Sequence, residues 1–218
     1  MGARYRITEP LGRGTRVFRG IAESSDGRTR DVAIARVVPS LPNNQKFAAM
    51  ILDDVRAAAS LHHANVVDLV DVGRTPEGAY FVVTEYVEGC DLKTFVSRRK
   101  RVALPHVLHV VVECCKGLAY AHSLDVIHRD VSPRALLLGT KGEVKLMDFG
   151  LAKANVQIES SDPSILKGKF SYLSPEAASG LEVDHRADVF AVGIFLWELV
   201  ARERTVDRTG ITGLMQAR

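Results

Sequence analysis

The sequence predicts an α+β fold of two unequal lobes, a small strand-rich one followed by a larger, mainly helical one. Three observations lead there. Runs rich in β-branched residues fill most of the first third of the chain. Apolar faces at helical spacing dominate after Gly89. Between them lies a nearly continuous apolar run, 79–87, of the kind that strands buried on both faces carry.

Taken in order, YRITEPLGRG (5–14) and TRVFRGIAES (15–24) read as a hairpin, with DGR (26–28) marking the next turn. DVAIARVV (31–38) is a third strand, closed by Pro39. From 46 to 61 the period changes to helical, with Phe47, Met50, Ile51 and Val55 on one face. NVVDLVDVG (65–73) and AYFVVTEYV (79–87) return to strand, the second internal to its sheet. Asp91 is placed to cap a short helix, and Pro105 opens a long one over 104–124. Two short strands, ALLL (135–138) and EVKLM (143–147), flank a TKG turn. The stretch 148–176 has no period and reads as a long functional loop. The last clear element, 185–201, is apolar nearly all round and belongs in the middle of a helical layer.

Bulk properties narrow the class. The chain has 218 residues, 46% of them apolar, and a formal charge of +3, which is too small to argue for nucleic acid or a membrane as partner. The basic run RRKR (98–101) is a solvated helix end. Cys90, Cys114 and Cys115 form neither a disulfide framework nor a metal-ligand spacing, and at least one of the adjacent pair should be buried packing. MGARYRITEP lacks an apolar stretch for export, and FAVGIFLWELVA (190–201) is too short to span a bilayer and contains Glu198. A soluble, cytoplasmic protein is the expectation.

The ordered set LGRG, VAIA, EYVEG, HRDVSP, DFG, SPE and DVFAVGIFLWEL resembles the eukaryotic-like protein kinase domain over about residues 5–201. HRDVSP and KGKFSYLSPE look most like bacterial serine/threonine kinases of the myxobacterial sort. The resemblance implies a bilobal kinase-like fold in one domain, with an N-lobe over 1–85, a hinge over 86–90 and a C-lobe over 91–218. It implies that Asp130 stands at the position of the catalytic base and Asp148 at that of the Mg²⁺ carboxylate. Nucleotide would be held by Gly12, Gly14, Val17 and Ala33 above and Leu137 below, with Thr84 as gatekeeper and the main chain of Glu85 and Val87 as hinge. His128 and Phe149 would serve packing, and Asp188 would anchor the catalytic loop. Arg129 would meet a phosphorylated loop at Ser160, Ser161 or Ser164.

Three departures from the family pattern follow from the same resemblance. Ala35 replaces the lysine that grips the α and β phosphates, and the residue at its glutamate partner's position is Asp54. Arg36 points to the opposite face of the strand and cannot substitute. Ala135 replaces the asparagine that helps hold a second Mg²⁺. LGRGTRVF is shorter than the family's glycine loop by about two residues and lacks its third glycine. Removing one preorganised cationic or donor contact costs on the order of 10²–10³ in rate. Loss of both lysine and asparagine therefore points to a pseudokinase, a signalling or scaffold module with at most weak binding of ATP and Mg²⁺. The alternative is a weak or unconventional serine/threonine kinase in which Arg13 or Arg16 supplies the cation, as in the with-no-lysine kinases. The C-lobe looks incomplete after the central helix, which would leave Phe190, Ile194, Phe195 and Trp197 in need of cover. A protein partner, either a kinase or another signalling protein, or self-association through the C-lobe is expected there.

Overall fold

The computed structural model describes residues 4–11, 17–37, 55, 58–75, 79–99, 102–150 and 171–201. Strands β1 (Arg4–Pro10), β2 (Val17–Glu23), β3 (Thr29–Val37), β4 (Leu69–Arg74) and β5 (Tyr80–Glu85) form one antiparallel sheet in the order β1-β2-β3-β5-β4. The apolar run at β5 is internal, as its composition predicts. One side of the sheet buries Ala22, Val32, Ile34 and Val83, with Tyr5, Val70 and Phe81 packed against them.

A short strand β6 (Gly89–Asp91) follows, then α1 (Leu92–Ser97) and α2 (Leu104–Ser123). Asp91 caps α1 as predicted, accepting from the Thr94 N–H at 2.8 Å. α2 carries Pro105 in its first turn, where a missing N–H costs nothing. β6 pairs with β7 (Leu136–Gly139), which pairs with β8 (Val144–Leu146), making a small three-stranded sheet. α3 (Pro175–Ala178) and α4 (Arg186–Ala201) complete the described elements. The main core lies between α2, α4 and the small sheet, and includes Leu118, Leu136, Leu146 and Phe195. No described helix is long and apolar enough to cross a membrane.

Two expectations need correction, and one element was not anticipated. Residues 65–68 are not strand, because their main chain turns to other partners. Val67 donates to Leu146 O, Leu146 donates to Asn65 O, and Asp68 O receives the Glu85 N–H. The strand β6 escapes sequence analysis, being three residues with no period. Finally, Phe195 does not lie on an exposed flank of α4 but is fully buried, together with Ala187, Asp188, Ala191 and Val192. The exposed side of that helix is formed by Val189, Trp197 and Val200. Of the cysteine pair, Cys114 is buried, where desolvation pushes its thiol pKa up, and Cys115 is exposed.

Candidate functional site

The roof of the cleft follows from the pleat of β3. Val32 and Ile34 face the upper core, so Ala33 and Ala35 face the other way and are only partly buried. Register puts Val17 opposite Ala35, and Ala33 opposite Thr84. Directly opposed residues share a face, so Val17, Ala33, Ala35 and Thr84 line one surface. Ala35 brings no amine to it. Arg36, on the alternate parity, is exposed elsewhere.

At the end of β5 the chain is braced from below. The Glu85 carboxylate accepts from Lys145 Nζ at 2.6 Å and from the Asp68 N–H at 2.9 Å, while the Glu85 N–H donates to Asp68 O. The Glu85 side chain is thus committed to a link between the large sheet and β8. Among the described residues no hydrogen bond is found to the main-chain N–H of Val87. Arg19 lies opposite Ala33, with its guanidinium on Glu9 and Asp31 and 4.6 Å from the centroid of the Tyr86 ring. Leu137 is paired with Lys145 across β7 and β8. Both side chains therefore stand on one face of the small sheet.

The catalytic loop is held from α4. Asp188, 1% exposed, accepts the N–H of His128 at 2.9 Å and of Arg129 at 2.8 Å, and pairs with His122 Nε2 at 2.7 Å. This supports the anchoring role that the sequence analysis gives Asp188. His128 is itself buried: its Nε2 lies 2.9 Å from Met147 O and its Nδ1 accepts from the Asp130 N–H at 3.2 Å. Donation at one nitrogen and acceptance at the other assign the Nε2–H tautomer. Phe149 packs on His128 with ring centroids 4.5 Å apart and is buried in the main core. Both residues do the packing expected of them.

Two residues here adopt left-handed backbone without being glycine, Arg129 at φ 66° and Asp148 at φ 69°. Each such conformation costs on the order of 1–3 kcal/mol, so the surrounding bonds must hold it. Asp130 and Asp148 are both partly buried. Ala135 is 3% exposed; its N–H donates to Ser132 O and its C=O accepts from Met147. The backbone at that position thus ties the catalytic loop to the residue before Asp148, while the side chain contributes a methyl. As a donor set for Mg²⁺, which takes one or two carboxylates together with substrate phosphates, Asp148 is suitable and Ala135 offers no oxygen. Among the described residues no group of three His, Cys, Asp or Glu side chains converges on one point.

A family model described as protein tyrosine and serine/threonine kinase matches residues 5–208. The chain belongs to that kinase family. Among its relatives, the tyrosine-protein kinase MasK of Myxococcus xanthus is 38% identical over 227 residues, covering 98% of this chain and 35% of that protein. The probable serine/threonine-protein kinase PknB of Lactococcus lactis is 33% identical over 206 residues, covering 94% and 32%. The chain therefore spans about a third of the length of the curated relatives it matches. The crystal structure of the Mycobacterium tuberculosis PknI kinase domain superposes with a TM-score of 0.72 at 25% identity, covering 96% of this chain and 78% of that one. The kinase-like fold is thereby shown.

Within this kinase fold, Gly12 and Gly14 lie outside the described residues, as do Arg13, Arg16, Asp54, Ser160, Ser161 and Ser164. Two features of the site were missed from the sequence. One is the Lys145–Glu85 brace, whose signal is a lysine between buried Val144 and Leu146. The other is Asn65, which donates to Glu113 Oε2 and Val144 O, each at 2.9 Å, pinning the segment before β4 to α2 and β8. A buried asparagine amid apolar neighbours is its only trace in the sequence.

Proposed function

We propose that this kinase-family chain is a pseudokinase of the myxobacterial type, a signalling or scaffold module with at most weak binding of ATP and Mg²⁺. The observation that carries the reading is the placement of Ala35 on the same face of the sheet as Val17, where its methyl offers nothing to grip a phosphate. Ala135, buried and without a ligand atom, supports it, and the identity to a Myxococcus kinase supports the myxobacterial type alone. On this reading Asp130 is a vestigial base and Asp148 the one remaining Mg²⁺ carboxylate. Val17, Ala33, Thr84, Glu85, Val87 and Leu137, with Gly12 and Gly14, form what is left of the nucleotide slot. The domain divides into an N-lobe over 1–85, a hinge over 86–90 and a C-lobe over 91–218. The module acts in the cytoplasm by docking a kinase or another signalling protein, or a second copy, through the helical lobe, where Trp197 is 58% exposed.

One observation favours the alternative of a weak or unconventional kinase: the loop around Asp130 keeps its strained backbone and its Asp188 anchor. The decisive experiment is transfer of labelled phosphate from ATP to the chain itself and to generic serine/threonine and tyrosine substrates, since the relatives' names span both. No transfer above that of Asp130→Asn is expected. Robust transfer abolished by Asp130→Asn overturns the pseudokinase reading. Restoration by Ala35→Lys with Ala135→Asn would locate the defect in those two positions.

A further inference from the structure

Strand β1 has little side-chain attachment to the rest of the molecule. Six of its seven residues are exposed, and Tyr5 alone is partly buried. Among the described residues, its ladder, the Thr8 hydroxyl on Arg19 O at 3.0 Å and the Arg19–Glu9 pair all join it to β2, its neighbour. β1 and β2 thus form a two-stranded flap, joined to the remaining sheet along the β2–β3 ladder. The flap carries Val17, opposite Ala35 on the cleft side, and the Leu11 N–H closes it by donating to Val17 O at 2.8 Å.

One contact reaches across the whole sheet. β1 and β4 are its two edges, four strand spacings apart, or about 19 Å if the sheet were flat. Yet the Tyr5 hydroxyl donates to Asp71 Oδ2 at 2.6 Å. A tyrosine and an aspartate end to end are shorter than that gap, so the sheet is curled, with Ala22, Val32, Ile34 and Val83 inside the curl. Two bare positions permit it. A Cβ on Gly20 would lie 2.7 Å from Ile34 Cδ1 and 2.8 Å from Arg6 O. One on Gly73 would strike the Phe81 ring, which Tyr5 meets edge-on with centroids 6.1 Å apart. Asp71 is itself oriented: the register of β4 shifts beside it, and its Oδ1 accepts the Val72 N–H at 2.8 Å. Burial first, and then the bond to Asp71, push the Tyr5 phenol pKa up, so it remains a donor. On the other face Arg19 reaches Glu9, Asp31 and the Tyr86 ring from a side chain 35% exposed, where such ties are weak. A hydrogen bond to a partly buried carboxylate contributes more.

We infer that the Tyr5–Asp71 bond is a strap that sets the position of the β1–β2 flap, and with it the roof residue Val17. Releasing this one bond lets the flap open while the rest of the fold stays closed. Asp71 is a firm anchor for it. Three residues earlier, Asp68 exchanges hydrogen bonds with Glu85, and Glu85 holds Lys145 of β8. Tyr5 and Asp71 are positioning residues, and the strap acts whether or not the chain transfers phosphate.

The test is amide hydrogen exchange by NMR in Tyr5→Phe and Asp71→Ala, alongside urea unfolding of each. Exchange at Leu11 and at the paired amides of β1 and β2 should quicken about tenfold to a hundredfold, the scale of a hydrogen bond to a charged group. The His128 and Arg129 amides, held by Asp188, should change by less than about twofold. The double variant should exchange no faster than the faster single one, because either substitution removes the same bond. Asp71→Asn, which keeps an acceptor oxygen, should lose less protection than Asp71→Ala. Gly20→Ala presses β1 off the curl without altering either partner, and should quicken the same amides. Unchanged flap amides in Tyr5→Phe would overturn the strap, as would additive effects in the double variant. So would a uniform quickening of all amides in step with a lower urea midpoint, which is the mark of a general loss of stability.

Discussion

Replacing Asp188 with alanine tests the whole account of how the catalytic loop is held. The carboxylate is 1% exposed and receives two main-chain donors, from His128 and Arg129, besides the His122 ring. Alanine leaves both main-chain donors without an acceptor. An orphaned buried donor costs about 1–3 kcal/mol, so two cost about 2–6 kcal/mol. His122 is less deeply buried and can turn to water, and loss of a buried charge refunds part of its desolvation. A net loss of about 3–5 kcal/mol is expected, a large part of an ordinary domain's stability. For a chain of this size that is a fall of about 10 °C in Tm. Asp188→Asn keeps one acceptor oxygen but turns an NH₂ toward the other donor, and should cost about half as much. The assay is urea unfolding with unchanged m-value, combined with hydrogen exchange at the His128 and Arg129 amides. A loss below about 1 kcal/mol, with both amides still protected, would refute the reasoning.

Other perturbations test separate parts of the structure. Lys145→Met removes the ion pair to Glu85, whose partners are largely but not fully buried. It should cost about 1–3 kcal/mol in urea unfolding, with Lys145→Arg recovering most of the loss, and a methionine variant as stable as the parent would contradict the brace. Gly117→Ala in α2 places a Cβ 2.7 Å from Asn65 O and 3.1 Å from Leu146 Cδ1. Despite alanine's better helix propensity it should destabilise by about 1–3 kcal/mol, read as a lower Tm. In the turn before β3, hydrogen bonds from Ser24 first and then Arg28 lower the Asp26 pKa from its ordinary 3.8 to about 2. A carboxyl pKa depressed by folding gives stability that is full above the unfolded value and lost as pH falls from near 4 to about 2. An NMR titration of the Asp26 carboxyl should therefore show a midpoint near 2, moving upward in Ser24→Ala.

Legibility in this chain tracks the range of each interaction. The alternation in β3 is local, and it alone put Ala35 on one face and Arg36 on the other. The Asp91 cap spans three residues and was readable for the same reason. Asp130 and Asp148 stand 18 positions apart in an order recognisable as a kinase pattern. The helix α4 shows the limit. Being apolar nearly all round, it has no periodic contrast to indicate which side turns inward, so the burial of Phe195 and the exposure of Trp197 had no local signal.

Sequence by itself determined the two-lobed α+β layout, the kinase pattern and the absence of a lysine and an asparagine from it, because strand period, helix caps and motif order act over a few residues. Tertiary structure decided where the loop is anchored and how the end of β5 is braced. Asp188 meets the loop from 59 and 60 residues away, and Lys145 meets Glu85 across 60. A carboxylate or an amine carries no record of its partner until the chain has folded back and water has been removed from between them.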